Sequence, residues 1–227
     1  MIISLTGFMG CGKSSVGRRL SELLCCPFMD LDEEIEAWAG KSIPEIFAEK
    51  GEAGFRAIEA ERLGSILSGG HEVIEDRATR GTEAGGPQAK RSGGVSEANV
   101  RDTSALPTES PETTQSKEND VPFEKAEMIL ALGGGTVMTR ECAEIVQNAT
   151  ICIYLKASVE TLVSHLEGET ANRPMLLGES LRDRISGLME RRSATYESTA
   201  HIIIDTDGKT IDEIAETIIR IGIPCRR

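Results

Sequence analysis

Hydrophobic positions in this chain come in short blocks that switch between strand-like runs and helical spacing. Met1–Leu5 reads as a buried strand, and Ser14–Leu24 follows with helical spacing. Pro27–Met29 reads as a short second strand ending at Asp30. Asp32–Ala39, Ile43–Glu49 and Phe55–Leu67 are each spaced as helices. Met128–Leu132 is a strand that stops at Gly133, Gly134 and Gly135. Arg140–Gln147 is helical, Ile151–Leu155 is a strand, and Val159–Leu166 and Leu181–Arg192 are helical. Ile202–Ile204 forms a last strand and Ile211–Ile221 a last helix. Strands separated by helices predict an α/β fold, here a five-stranded parallel sheet with helices on both faces. Ligands in such sheets sit beyond the carboxyl ends of the strands.

The pattern fails between Asp76 and Asp120. The aliphatic side chains larger than Ala in that stretch are Val95, Val100 and Leu106, and most of the rest is Gly, Ser, Thr, Pro, Glu, Arg and Ala. Such a segment cannot bury enough apolar surface to offset the entropy of ordering it. It is expected to be a mostly disordered insertion, reaching about residues 70–125, within a single domain spanning 1–227. It is either a partner-binding arm or a tolerated loop expansion, since lengthening a loop adds little closure entropy.

The composition narrows the function. The 227 residues suit one domain. Against 25 Lys and Arg stand 37 Asp and Glu, a net charge of −12. That balance argues against binding to nucleic acid or to an anionic membrane surface. Aromatic residues, at 4%, are too few for a base-stacking surface. No apolar run has the length of a membrane span, and Met1–Thr6 does not read as a signal peptide. The cysteines are Cys11, Cys25, Cys26, Cys142, Cys152 and Cys225, with no C-x-x-C pair. They read as reduced thiols in a cytoplasmic protein without structural zinc. An acidic chain needs a locally basic pocket to take an anionic substrate.

The first candidate chemistry is Gly7-Phe8-Met9-Gly10-Cys11-Gly12-Lys13-Ser14, which fits the phosphate-loop pattern G-x-x-x-x-G-K-[ST] between a predicted strand and a predicted helix. The loop's backbone N–H groups can surround phosphate oxygens, and the helix directs its positive end at them. Lys13 can reach the β- and γ-phosphates, and the Ser14 hydroxyl can ligate Mg²⁺. Cys11 reads as a small filler, with oxidation as the alternative.

Asp30-Leu31-Asp32 follows the second strand. Strand alternation places Asp30 and Asp32 on one side and turns Leu31 to the core. Asp30 suits Mg²⁺ through water, and Asp32 then meets the hydroxyl acceptor. Alternatively, Asp32 caps the following helix. Arg56 and Arg192 are each either a surface charge with a buried stem or an anion receptor, and Glu59 is spaced to pair with Arg56. Gly133–Gly135 offers bare backbone for close ligand approach, although no Walker B Asp precedes it. The loop 168–178, with Arg173, is either a connector or a lid whose arginine neutralises charge in the transition state.

Together these residues resemble shikimate kinase. The family's patterns occur in order: the phosphate loop, D-x-D, the run Gly51, Glu52, Phe55, Arg56, Glu59, the triple glycine, Arg173-Pro174-Met175-Leu176-Leu177, and Arg192 with Tyr196. The resemblance spans nearly the whole chain outside about 70–125. It implies a three-layer P-loop kinase fold like that of nucleoside-monophosphate kinases. It implies ATP-dependent phosphorylation of the 3-hydroxyl of shikimate, in chorismate and aromatic amino acid biosynthesis, by a monomer. It also implies the roles. Asp32 orients the hydroxyl and takes its proton. Arg56 and Arg192 hold the shikimate carboxylate, with Gly133, Gly134 and Gly135 lining that site. Gly10, Cys11, Gly12, Lys13, Ser14 and Ser15 bind ATP. Lys13 and Arg173 stabilise the transferring phosphoryl group, while Ser14 and Asp30 hold Mg²⁺.

Three features depart from the family. The insertion is absent from the usual compact enzyme. Leu166 stands near the place where many members carry an adenine-stacking Arg. Ser193-Ala194-Thr195 replaces a frequent Pro-Leu run. Two other readings compete. One is a different small-molecule kinase, such as a gluconate-type or nucleoside-monophosphate kinase. The other is a non-catalytic, nucleotide-responsive binding protein.

Overall fold

Ile2–Thr6 forms the central strand, β1, with Ile3, Ser4, Leu5 and Thr6 all buried. A strand covered on both faces has no solvent side to alternate toward, which is why this run lacks a polar period. The computed structural model describes residues 1–69, 126–167 and 180–222. These belong to a unit made of Met1–His71 and Val121–Arg227. The low-complexity stretch 76–120 and the loop 168–178 with Arg173 lie outside the described residues.

After β1 come α1 (Lys13–Leu24), β2 (Phe28–Asp30), α2 (Leu31–Ala39) and α3 (Ile43–Leu67). Beyond the interruption come β3 (Met128–Ala131), a 3-10 turn (Thr136–Met138), α4 (Arg140–Ala149) and β4 (Thr150–Lys156). The described chain continues with α5 (Val159–Leu166), α6 (Leu181–Thr199), β5 (Ile202–Asp205) and α7 (Ile211–Ile221). The strands pair in parallel in the order β2-β3-β1-β4-β5. α1 packs with α7 and against β1 and β3, while α4 and α6 pack with each other and against β4. The expected three-layer α/β architecture with a five-stranded parallel sheet is therefore present. Its core includes Ile3, Leu5, Leu20, Ile129, Ile153 and Leu155, all with no exposed surface. Between β1 and β4 the buried Ser4 and Thr150 hydroxyls hydrogen-bond at 2.7 Å, which satisfies two polar groups the core would otherwise strand.

The register sets up the functional end of the sheet. Leu5 and Asp30 both pair with Ala131, so β1, β2 and β3 finish level with one another. The segments that leave these strands are Gly7–Gly12, Leu31–Asp32 and Leu132–Gly135. They emerge side by side.

One expected division holds and one boundary is corrected. α3 is two helices joined across a kink at Gly51, whose φ of 66° and ψ of −177° are not helical, in keeping with the separate spacings of Ile43–Glu49 and Phe55–Leu67. α6 continues past the expected end at Arg192 to Thr199, because Arg192, Tyr196 and Thr199 extend its buried face. Polar residues on that face hid the period. Among the described residues no helix is long and apolar enough to cross a membrane.

Beyond the bend at Gly51, Phe55 is buried against Phe47 and Arg56 reaches the Gly133–Gly135 turn. No atom lies within 4 Å of where a Cβ on Gly51 would sit, so a side chain there costs backbone strain alone. Gly51→Ala is expected to lower unfolding free energy by about 1–3 kcal/mol in urea denaturation. A change within error of zero would mean that the bend persists without glycine.

Candidate active site

The phosphate loop leads from β1 into α1. Five of the seven helices among the described residues begin with a capping side chain, but α1 does not: Gly12 is its N-cap and its first turn has no acidic residue. The positive end of its macrodipole is thus left for an anion. Lys13 curls back over the loop, its Nζ donating to the carbonyls of Gly7 (3.0 Å) and Phe8 (3.1 Å). Ser15 is exposed on the first turn. Cys11 is buried with its Sγ 4.0 Å from Lys13 Nζ, and burial pushes its thiol pKa up, so it acts as a neutral filler.

Ser14 Oγ donates to Asp30 Oδ2 at 2.5 Å. A hydroxyl and a carboxylate beside a phosphate loop match the oxygen donors that Mg²⁺ takes. Among the described residues no cluster of three His, Cys, Asp or Glu side chains is placed to hold a metal ion. A divalent ion at Ser14 and Asp30 would therefore complete its shell with phosphate oxygens and water.

The alternation argument for the two aspartates is corrected. β2 ends at Asp30, and Asp32 lies in the first turn of α2 rather than on the strand. Asp30, not Asp32, caps that helix, its Oδ1 accepting from the Asp32 N–H at 3.0 Å. Leu31 is buried as expected. The capping turn still delivers the Asp32 carboxylate to the triple glycine: a Cβ on Gly133 would lie 2.6 Å from Asp32 Oδ1.

The same three glycines collect the arginines. A Cβ on Gly135 would lie 2.4 Å from Arg56 Nη2. Arg56 is held by Glu59, at 2.6 Å through Nη1, and that carboxylate also accepts from Thr136 Oγ1 at 2.6 Å. Glu59 is only 1% exposed, so the ion pair is paid for by these hydrogen bonds rather than by water. From the other side, Arg192 Nη1 donates to the Gly134 carbonyl at 3.5 Å, and the Tyr196 hydroxyl donates to the same oxygen. Gly134 also backs onto the phosphate loop, where a Cβ would stand 3.2 Å from the Met9 backbone nitrogen. Phosphate loop, carboxylate and two guanidinium groups thus share one short piece of backbone.

The family model described as shikimate kinase matches residues 9–76 and 119–221. The chain belongs to the shikimate kinase family. A shikimate kinase from Dictyoglomus turgidum is 32% identical over 217 residues, covering 96% of this chain and 94% of its own. One from Chlorobaculum parvum is 32% identical over 227 residues, covering 96% and 90%. Among solved structures, shikimate kinase from Acinetobacter baumannii in complex with shikimate is similar with a TM-score of 0.69. It is 26% identical, covering 97% of this chain and 91% of that one. The family match passes over the stretch between 76 and 119, where the low-complexity insertion is expected.

Relative to the expected site residues of this kinase family, the structure brings together Lys13, Ser14, Asp30, Asp32, Arg56, Gly133–Gly135 and Arg192. Leu166, which stands near the place where the resemblance leads one to expect an adenine-stacking arginine, is fully buried. Thr136 was missed, since a lone threonine after the glycines carries no signal. The Tyr196 contact was legible in principle, because i and i+4 residues on a helix share a face.

Burial, reinforced by the neighbouring Asp30 charge and opposed by Lys13, raises the Asp32 carboxyl to about 6 from 3.8. It is therefore ionised at neutral pH yet a stronger base than an ordinary aspartate. The folded pKa is raised, so the favourable contribution is complete below pH 3.8 and is lost as pH rises through about 6. Asp32→Asn is expected to match wild type in thermal stability near pH 3.5. It should exceed wild type at pH 8 by up to about 3 kcal/mol. A variant less stable than wild type at pH 8 would show that Asp32 is held by favourable contacts instead.

Proposed function

We propose that this chain transfers the γ-phosphoryl group of ATP to the 3-hydroxyl of shikimate, giving shikimate 3-phosphate and ADP, a step of chorismate and aromatic amino acid biosynthesis. The observation that carries the reading is the meeting of Asp32, Arg56 and Arg192 at Gly133–Gly135, directly behind the phosphate loop. A carboxylate base, two guanidiniums and a phosphate cradle suit an acceptor that is both an alcohol and a carboxylic acid.

In this reading Arg56 and Arg192 bind the acceptor's carboxylate, for which planar guanidinium forks are well matched. Glu59 fixes Arg56 in place through Nη1, and Nη2, 3.7 Å from the exposed Glu52 carboxylate, turns to the acceptor's carboxylate. The chain's net negative charge is overcome locally by these two groups. With the carboxylate anchored, the hydroxyl meets Asp32, which orients it and accepts its proton as the oxygen attacks the γ-phosphorus. The bond to the β-bridging oxygen breaks and ADP leaves. Gly10, Cys11, Gly12, Lys13, Ser14 and Ser15 receive the phosphates, and Lys13 exchanges its carbonyl contacts for phosphate oxygens. Ser14 and Asp30 hold Mg²⁺, which when bound neutralises phosphate charge. By family resemblance Arg173 adds charge at the transferring group.

The test is ADP release from Mg-ATP with shikimate, gluconate or AMP as acceptor. Release stimulated by shikimate alone supports the reading. Nucleotide binding without shikimate-stimulated release would replace it with a nucleotide-responsive binding protein. Arg56→Ala is expected to raise the shikimate KM by at least about tenfold, since a charged hydrogen bond is worth about 1.5–3 kcal/mol, and to leave the ATP KM nearly unchanged. Equal rises in both would remove the carboxylate-clamp role.

The insertion is taken to interrupt one monomeric cytoplasmic domain. Deleting 76–120 should leave a chain that elutes as a monomer and turns over shikimate within a few-fold of wild type. Insoluble or inactive protein would make the segment part of the machinery.

A further inference from the structure

His165 lies on the last turn of α5, and the proposed reaction gives it no task. Its Nδ1 is 2.8 Å from the carbonyl oxygen of Gly10 in the phosphate loop. A carbonyl can only accept, so the proton is on Nδ1. The next residue presses on the same point: Leu166 is fully buried, and a Cβ on Gly10 would lie 2.9 Å from its Cγ. Gly10 itself has a φ of +81°, so its conformation is one that L side chains avoid.

The peptide unit joining Gly10 to Cys11 is consequently held at both ends. Its N–H donates to the Phe8 carbonyl at 3.2 Å, and its C=O accepts from His165. A phosphate loop works by aiming N–H groups at the anion and its carbonyls elsewhere. A peptide that flipped would set a partial negative charge against phosphate oxygens. The donor that faces the Gly10 carbonyl comes from α5, far from the loop in sequence.

We propose that His165 is a positioning residue of the nucleotide site, its Nδ1–H holding the Gly10 carbonyl turned away from the phosphates and so keeping the Gly10–Cys11 peptide from flipping. The lock survives protonation of the imidazole, because Nδ1 carries hydrogen in the imidazolium as well. This rests on reading the loop as the ATP-phosphate site.

The experiment is calorimetric titration of the full chain with Mg-ADP, which requires no acceptor. His165→Ala should raise the dissociation constant by about three- to tenfold, the scale of one net hydrogen bond. His165→Asn should recover most of the affinity, since its amide nitrogen can stand near the position of Nδ1. His165→Phe keeps a ring but no donor and should stay weak. The shikimate KM and the melting temperature of the ligand-free variants should remain at wild-type values. Wild-type affinity in His165→Ala overturns the proposal. So does rescue by Phe rather than Asn, which would make the role one of packing, or a failure of Asn to improve on Ala. If wild type binds Mg-ADP and the variants behave as expected but shikimate is not phosphorylated, the positioning role stands and the functional reading falls. Failure of wild type to bind Mg-ADP overturns both.

Discussion

Asp32, Arg56 and Arg192 approach one another because the backbone between them, Gly133–Gly135, has no side chains to keep them apart. Each comes from a different helix, and each lies on or against this one turn at the end of β3. Methyl groups on the outer two glycines would overlap the Asp32 carboxylate and the Arg56 guanidinium at 2.6 and 2.4 Å. The middle glycine offers its carbonyl to Arg192 and Tyr196, and its bare α-carbon faces the phosphate loop. Close packing makes this a requirement of volume, since interiors have no slack to absorb three extra carbons.

That crowding has an electrostatic consequence. Asp30, Asp32 and Glu59 lie near one another at the edge of a core, in an acidic chain, and something must compensate each of them. Asp30 is compensated by the α2 N-terminus and the Ser14 hydroxyl. Glu59 is compensated by Arg56 and Thr136. For Asp32, burial first and the neighbouring Asp30 charge second push the carboxyl pKa up, and Lys13 opposes them. A carboxylate held in this way is costly to the fold, and under the proposed function the same burial gives a base suited to neutral pH.

Most of the architecture was legible from the chain alone. Alternating strand and helix patterns imply a parallel sheet with both faces covered, and the phosphate-loop pattern marks its functional end. The misjudged end of α6 has a local cause that periodicity hides. Arg192 and Thr199 lie on a buried face that hydrophobic spacing cannot flag because they are polar.

Residue identity and spacing determined the order of chemistry along the chain: a phosphate loop, a pair of aspartates, an Arg-x-x-Glu turn of helix and a triple glycine. These are local facts, set by side-chain type and by which backbone conformations each residue tolerates. The choice of Asp30 over Asp32 as the cap of α2 is also local, settled by where β2 ends. Only the tertiary structure decided that Thr136 shares Glu59 with Arg56 and that His165 reaches the Gly10 carbonyl. Those two contacts join residues with no fixed separation in sequence. They depend on the register of β1, β2 and β3 and on where α3, α5 and α6 pack, and these are properties of the assembled sheet rather than of any one segment.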